Sequence, residues 1–178
     1  MSKVISKKDY YLEYLRNFSI FSELELEEIE LFYSVMKIIQ FEEGEIILRE
    51  GEVGHSVLLL LDGGVEVSQA LTLKRDDSDM DTREKGLIKL NSRMYPFFGE
   101  MCLFAKDDKR SATVRAETRC IIGRITKTDF YKICDANPSI GYKVMRNIAT
   151  VLSDRLRQAN MNIMKLTTAF SLLVDEMT

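Results

Sequence analysis

In the segment SELELEEIELFYSVM, Leu24, Leu26, Ile29, Leu31 and Phe32 recur at close to helical spacing, which predicts a helix capped by Ser22 with Glu25 three residues on. Its acidic first turn suits the helix dipole. From Lys37 the period changes. Short apolar or alternating runs follow one another: KIIQF, EIIL, SVLLLLD, GVEVSQ, GLIKL, SATVRA and RCIIGRI, with Gly44, Gly51, Gly54, Gly63, Gly64, Gly86 and Gly99 among the breaks. Strands divided by glycine turns at this cadence predict an antiparallel sandwich or barrel.

After Arg124 the pattern is helical again, first in KTDFYKICD and then, past the breaker Asn137-Pro138, in a long stretch toward the end of the chain. In heptad register Ala149, Leu156, Ile163, Phe170 and Met177 share one seam position, and Leu152, Ala159, Leu166 and Leu173 share the other. A helix from Ser139 to Val174 would extend about 54 Å. That exceeds the roughly 34 Å breadth of a compact domain, so its far half needs a surface to cover it. The seam favours a parallel coiled coil with a second copy, since flanking Ser153, Asn160 and Thr167 carry no charge to select a foreign helix. The competing arrangement folds the helix back after LTT onto its own sheet.

These patterns divide the chain into an N-terminal helical segment (1–36), a β-roll (37–126) and C-terminal helices (127–178). The fold class is therefore mainly β with flanking helices: an antiparallel β-sandwich or jelly roll with N-terminal helices and a long C-terminal dimerisation helix.

Composition narrows the chemistry. Of the 178 residues, 46% are hydrophobic and 30% charged, as expected for a globular chain with one core. A net charge of -3 gives no global attraction to phosphate backbones or anionic lipid. The three cysteines, Cys102, Cys120 and Cys134, fit neither a disulfide framework nor the paired spacing of a zinc site, which points to a reducing interior and a cytoplasmic location. No apolar run is long enough to cross a bilayer, and the N-terminus has no apolar signal core. The tract KRDDSDMDTREK reads as a solvated hairpin tip. Its Asp77, Asp79 and Asp81 fail as a calcium loop, because Thr82 stands where the sharp bend needs glycine and Ile88 where the closing Glu belongs.

The remaining chemistry is concentrated in FFGEMCLFAKDDKRSATV. Gly99 lets the chain approach a ligand closely. About one helical turn follows it, whose N–H groups are not all bonded internally. Arg110 offers a planar fork for a phosphate, Ser111 adds a hydroxyl, and Glu100 offers two acceptors suited to a sugar hydroxyl. Against this stands simple neutralisation of Glu100 by Arg110 across the turn.

The arrangement F-G-E-x-x-L followed by R-S-A-T-V resembles the phosphate-binding cassette of cyclic nucleotide-binding domains, matched at Phe98, Gly99, Glu100, Leu103, Arg110, Ser111, Ala112, Thr113 and Val114. The likeness extends over roughly residues 18–160, and its catabolite-activator-like branch is the nearest. The resemblance implies that Arg110 binds the cyclic phosphate, assisted by Ser111 and the backbone of Ala112, while Glu100 with Gly99 holds the ribose 2′-hydroxyl. Phe98 and Met101 complete the cassette side of the ligand set. On the long helix, Arg155 or Asn160 would meet the base, with Leu156 and Ala159 as other registers. Departures are His55, where the family often has an acid, and Cys102 in place of a small residue. Activators of this branch continue into a helix-turn-helix, whereas the residues after Ala149 here belong to the seam, so no direct DNA contact by this chain is expected.

The expectation is thus a non-enzymatic sensor module for a cyclic nucleotide, cAMP or else cGMP, with ligand closing the cassette and repositioning a homodimer helix. Its output would need an effector protein. The alternative is a degenerate version of the same fold that serves as a dimeric interaction scaffold without ligand. No cofactor, metal or catalytic residue is expected. A metal enzyme on a related double-sheet roll such as a cupin needs clustered imidazoles, and the chain has one histidine; no nucleophile elbow, Cys-His arrangement or phosphate loop is present.

Overall fold

The computed structural model describes residues 7–70, 74–75, 79–80, 84–104 and 109–176. Helix α1 (Lys7–Leu15), a 3-10 turn (Ser19–Phe21) and α2 (Leu26–Val35) come first. The cap of α2 is Glu25, not Ser22. Glu23 adopts a left-handed backbone (φ 64°), which stops any helix from beginning upstream of it. Glu25 and Glu28 then form a reciprocal capping box, the Glu25 N–H donating to the Glu28 carboxylate at 2.9 Å, and Ser22 closes the 3-10 turn instead.

The strands form two antiparallel four-stranded sheets. One contains β1 (Lys37–Phe41), β3 (Ser56–Asp62), β8 (Phe97–Phe98) and β10 (Cys120–Thr126), in the order β1-β10-β3-β8. The other contains β2 (Ile46–Leu48), β4 (Gly64–Ala70), β7 (Glu84–Asn91) and β9 (Thr113–Ala116), in the order β2-β9-β4-β7. Within the charged tract, β5 (Lys74–Arg75) pairs with β6 (Asp79–Met80), consistent with a hairpin there. Asp77 and Asp81 of the discarded calcium reading lie outside the described residues, and among the described residues no three potential ligands cluster to hold a metal.

Why SVLLLLD is apolar without a break is settled by its position. Leu58 and Leu60 point between the sheets, where they meet Val65, Phe98, Val114 and Ile122. Val57, Leu59 and Leu61 point the other way, onto Phe18, Phe21, Phe32 and Phe130 from the helices. A strand buried on both faces needs apolar residues at every position, and each fully buried side chain contributes about 1.5–3 kcal/mol.

Helix α3 (Lys127–Ala136) starts directly after β10, with the Thr126 hydroxyl accepting from the Asp129 N–H at 3.1 Å. Helix α4 runs unbroken from Pro138 to Glu176, about 58 Å. Its first turns bury Ile140, Val144 and Ile148 against the helical layer, and the buried Asn147 donates to the carbonyls of Ile20 (3.2 Å) and Ser22 (2.7 Å). Lys143 bonds the Glu28 carboxylate at 2.8 and 3.0 Å. Beyond Leu152 every described side chain is exposed. The helix does not fold back at Leu166–Thr168 but runs on through it, and both threonine hydroxyls turn back onto carbonyls one turn earlier, Ile163 and Met164, each at 2.9 Å. No described helix is long and apolar enough to cross a membrane.

Candidate functional site

Between β8 and β9 the chain leaves the sheet at Gly99, which takes the left-handed region (φ 78°) and starts a 3-10 turn, Glu100–Leu103. Glycine is required twice over here: a Cβ at Gly99 would collide with the Arg110 guanidinium as well as strain the backbone. A Cβ at Gly54 would lie 2.6 Å from the same guanidinium. Arg110 is therefore packed between two bare stretches of backbone.

Its main chain is fixed as well. The Arg110 N–H donates to Glu52 O at 2.8 Å and its carbonyl accepts from the Gly51 N–H at 2.9 Å. From that base the guanidinium donates to Gly99 O (3.0 Å, Nη1) and Ser56 O (2.9 Å, Nη2). Carbonyls orient a guanidinium without cancelling its charge, so the remaining N–H groups stay available to an anion. Among the described residues no carboxylate pairs with Arg110. Neutralisation by Glu100 is not what the chain does.

Glu100 is 2% exposed and turns to α4: Arg155 Nη1 bonds Glu100 Oε1 at 2.5 Å, while Nη2 donates to Phe97 O at 2.9 Å and the guanidinium lies 5.5 Å from the Phe97 ring centroid. A buried carboxylate needs such a counter-charge. Beside it, Cys102 donates its thiol to Ser56 O at 3.6 Å; burial pushes that thiol's pKa up, so it stays protonated.

These groups face a cavity of about 430 Å³. Glu100, Arg110, Ser111 and Arg155 supply its polar end, and Leu48, Val67, Ile88, Leu90 and Met94 its apolar wall. Of the expected ligand residues, Phe98, Gly99, Glu100, Met101, Arg110, Ser111, Ala112 and Arg155 all line it. Asn160, exposed on the helix beyond Arg155, does not. The Ser111 hydroxyl lies 3.9 Å from Met101 Sδ. Sequence reasoning missed the apolar wall and Lys109; adjacency to Arg110 was the one available signal for the lysine.

Residues 38–137 match the family described as "Cyclic nucleotide-binding domain". The chain belongs to that family. This cyclic nucleotide-binding domain is 27% identical over 154 residues to the cAMP-dependent protein kinase regulatory subunit of Dictyostelium discoideum, a match covering 84% of the chain and 42% of that subunit. The domain spans less than half the length of the curated relatives it matches. Among solved structures it is similar in fold to a cyclic nucleotide-binding domain from Methylobacillus flagellatus KT, with TM-score 0.70, 22% identity, and coverage of 87% of this chain and 83% of that one. The Thermus thermophilus catabolite activator protein gives TM-score 0.69 at 24% identity, covering 84% of the domain and 63% of that chain. The β-roll that the resemblance implies is thus the fold of the family, and its two antiparallel sheets agree with the sandwich expected from the glycine-punctuated strands.

Proposed function

We propose that this domain is a non-enzymatic sensor of a cyclic nucleotide, cAMP in the first instance, that works as a cytoplasmic homodimer through α4. The observation that carries the reading is Arg110: a guanidinium held on two backbone carbonyls at the end of a cavity, with no carboxylate among the described residues drawing off its charge. A cyclic phosphate fits that fork, the ribose 2′-hydroxyl fits Glu100, and the base falls to the apolar wall. Each charge-assisted bond contributes about 1.5–3 kcal/mol net, and two or three with base burial reach micromolar affinity. The kinase whose regulatory subunit the domain resembles is cAMP-dependent by name, which supports cAMP as the first nucleotide to assay. We assign 37–126 as the ligand-binding roll and 127–178 as the segment that carries the signal to an effector protein.

Arg155 provides the route. It joins the Glu100 carboxylate to α4 directly, so a hydroxyl arriving at Glu100 must share or displace that guanidinium. The cassette then closes on the ligand and α4 shifts to the extent that the two helix positions differ in affinity. Arg155→Ala should weaken nucleotide binding less than Arg110→Ala does, while removing the ligand-dependent movement of α4, read at saturating ligand from spin-label distances along the helix.

Calorimetry with cAMP and cGMP tests the whole reading. Binding is expected at micromolar ligand, and Arg110→Ala should abolish it. Absence of heat with either nucleotide at about a hundred times a micromolar Kd defeats the proposal.

A further inference from the structure

The 3-10 turn that carries Glu100 is short, and such turns are weak on their own. Inside it, the Phe104 N–H bonds Met101 O at 3.0 Å, and the next two carbonyls, of Cys102 and Leu103, lie at the carboxyl end of the turn. Among the described residues, both of their donors come from α3. Lys127 Nζ donates to Cys102 O at 2.6 Å, and Tyr131 Oη donates to Leu103 O at 2.6 Å. The two residues are four apart, one turn along a single helix face. Lys127 also fixes the neighbouring strand, its own N–H donating to His55 O at 2.8 Å. The next carbonyl, Ser56 O, is the one that accepts from Arg110 and from the Cys102 thiol. Burial raises the Tyr131 pKa, so its hydroxyl keeps its proton at neutral pH.

We propose that Lys127 and Tyr131 are positioning residues that clamp the cassette turn to α3 from its carboxyl end, and so hold the Glu100 carboxylate where a ligand hydroxyl can reach it. The clamp rests on the nucleotide reading only for what Glu100 receives; its hold on the turn is independent of any ligand. It also gives α3 its own contact with the cassette, separate from the Arg155 link to α4. A turn bonded at both carbonyls cannot move relative to α3 without breaking a charge-assisted bond.

The test has two arms on the same proteins: wild type, Tyr131→Phe, Lys127→Met and Lys127→Arg. Amide hydrogen exchange of residues 100–104 without ligand should accelerate about tenfold in Tyr131→Phe and Lys127→Met, with β3 unchanged, and stay near wild type in Lys127→Arg. Affinities for cAMP and 2′-deoxy-cAMP should converge in the first two variants, the preference for the 2′-hydroxyl falling about tenfold, because only the Glu100 contact is loosened. Unchanged exchange at the turn, or an equal loss of both ligands, overturns the assignment. If the wild type binds neither ligand, the nucleotide reading falls and the clamp stands or falls on exchange alone.

Discussion

From Pro138 to Leu152, α4 presses Ile140, Val144 and Ile148, spaced by four, into the helical layer; from Ser153 onward the apolar residues follow the heptad seam instead, through Leu156, Ile163, Leu166 and Phe170, with Leu166 72% and Phe170 69% exposed. Two apolar faces of one helix serve two different surroundings. The first half is covered by α3 and the 3-10 turn at Ser19–Phe21, and Asn147 locks it there by bonding the carbonyls of Ile20 and Ser22. The second half has its apolar face turned to solvent in this chain. Periodicity reveals that a helix has an apolar face but says nothing of whose surface covers it. That is why the coiled-coil reading belongs to the far half alone.

The comparison can be broken from the packed side first. Ile148→Ala, at a site with no exposure, should cost about 2–4 kcal/mol, read as a thermal midpoint lowered by a similar amount at every protein concentration. Asn147→Ala should come next at about 1–3 kcal/mol by chemical denaturation, because it leaves the Ile20 and Ser22 carbonyls without their donor. On the exposed side, Leu166→Asp with Phe170→Asp should leave the unfolding of dilute protein within about 0.5 kcal/mol while shifting sedimentation equilibrium from dimer to monomer. A monomeric wild type would remove the second-copy reading of the far half.

The smallest effect is at the Lys143–Glu28 bond, which ties the near half to α2. The Lys143 ammonium, helped by the Glu25 N–H, holds the Glu28 carboxyl below its ordinary 4.5. A depressed carboxylate stabilises the fold fully above its unfolded pKa, and the contribution fades as pH falls through the lower folded value. Stability measured against pH should therefore decline below 4.5 in the wild type, and Glu28→Gln should flatten that acid limb by at most about 1 kcal/mol.

What could be read from residues alone follows from the range of the forces involved. KIIQF and SVLLLLD coincide with β1 and β3, and Asn137-Pro138 marks the start of α4, because strand runs and helix breaks are local signals. Phe97–Phe98 is a strand only through its pairing with Leu58 and Leu59, which no window around it contains. The start of α2 was misplaced because Glu23 gives no hint of its left-handed backbone. At the site, Arg110, Ser111 and Glu100 stood out by type and spacing, and Arg155 only through the family likeness. That Glu100 would bond Arg155 and not Arg110 was out of reach: the choice depends on where α4 crosses the cassette, 55 positions later in the chain. The contacts made by Lys127 and Tyr131 end on main-chain oxygens, which every residue possesses and no sequence pattern marks.

Strand β3 forms a party wall, its odd-numbered side chains in one apolar cluster and its even-numbered ones in the other. Neither compartment can be dismantled while its neighbour stands. Heating should therefore give one calorimetric peak with matching van't Hoff and calorimetric enthalpies, and the last amide protons to trade with deuterated solvent should be those of Val57 to Leu61.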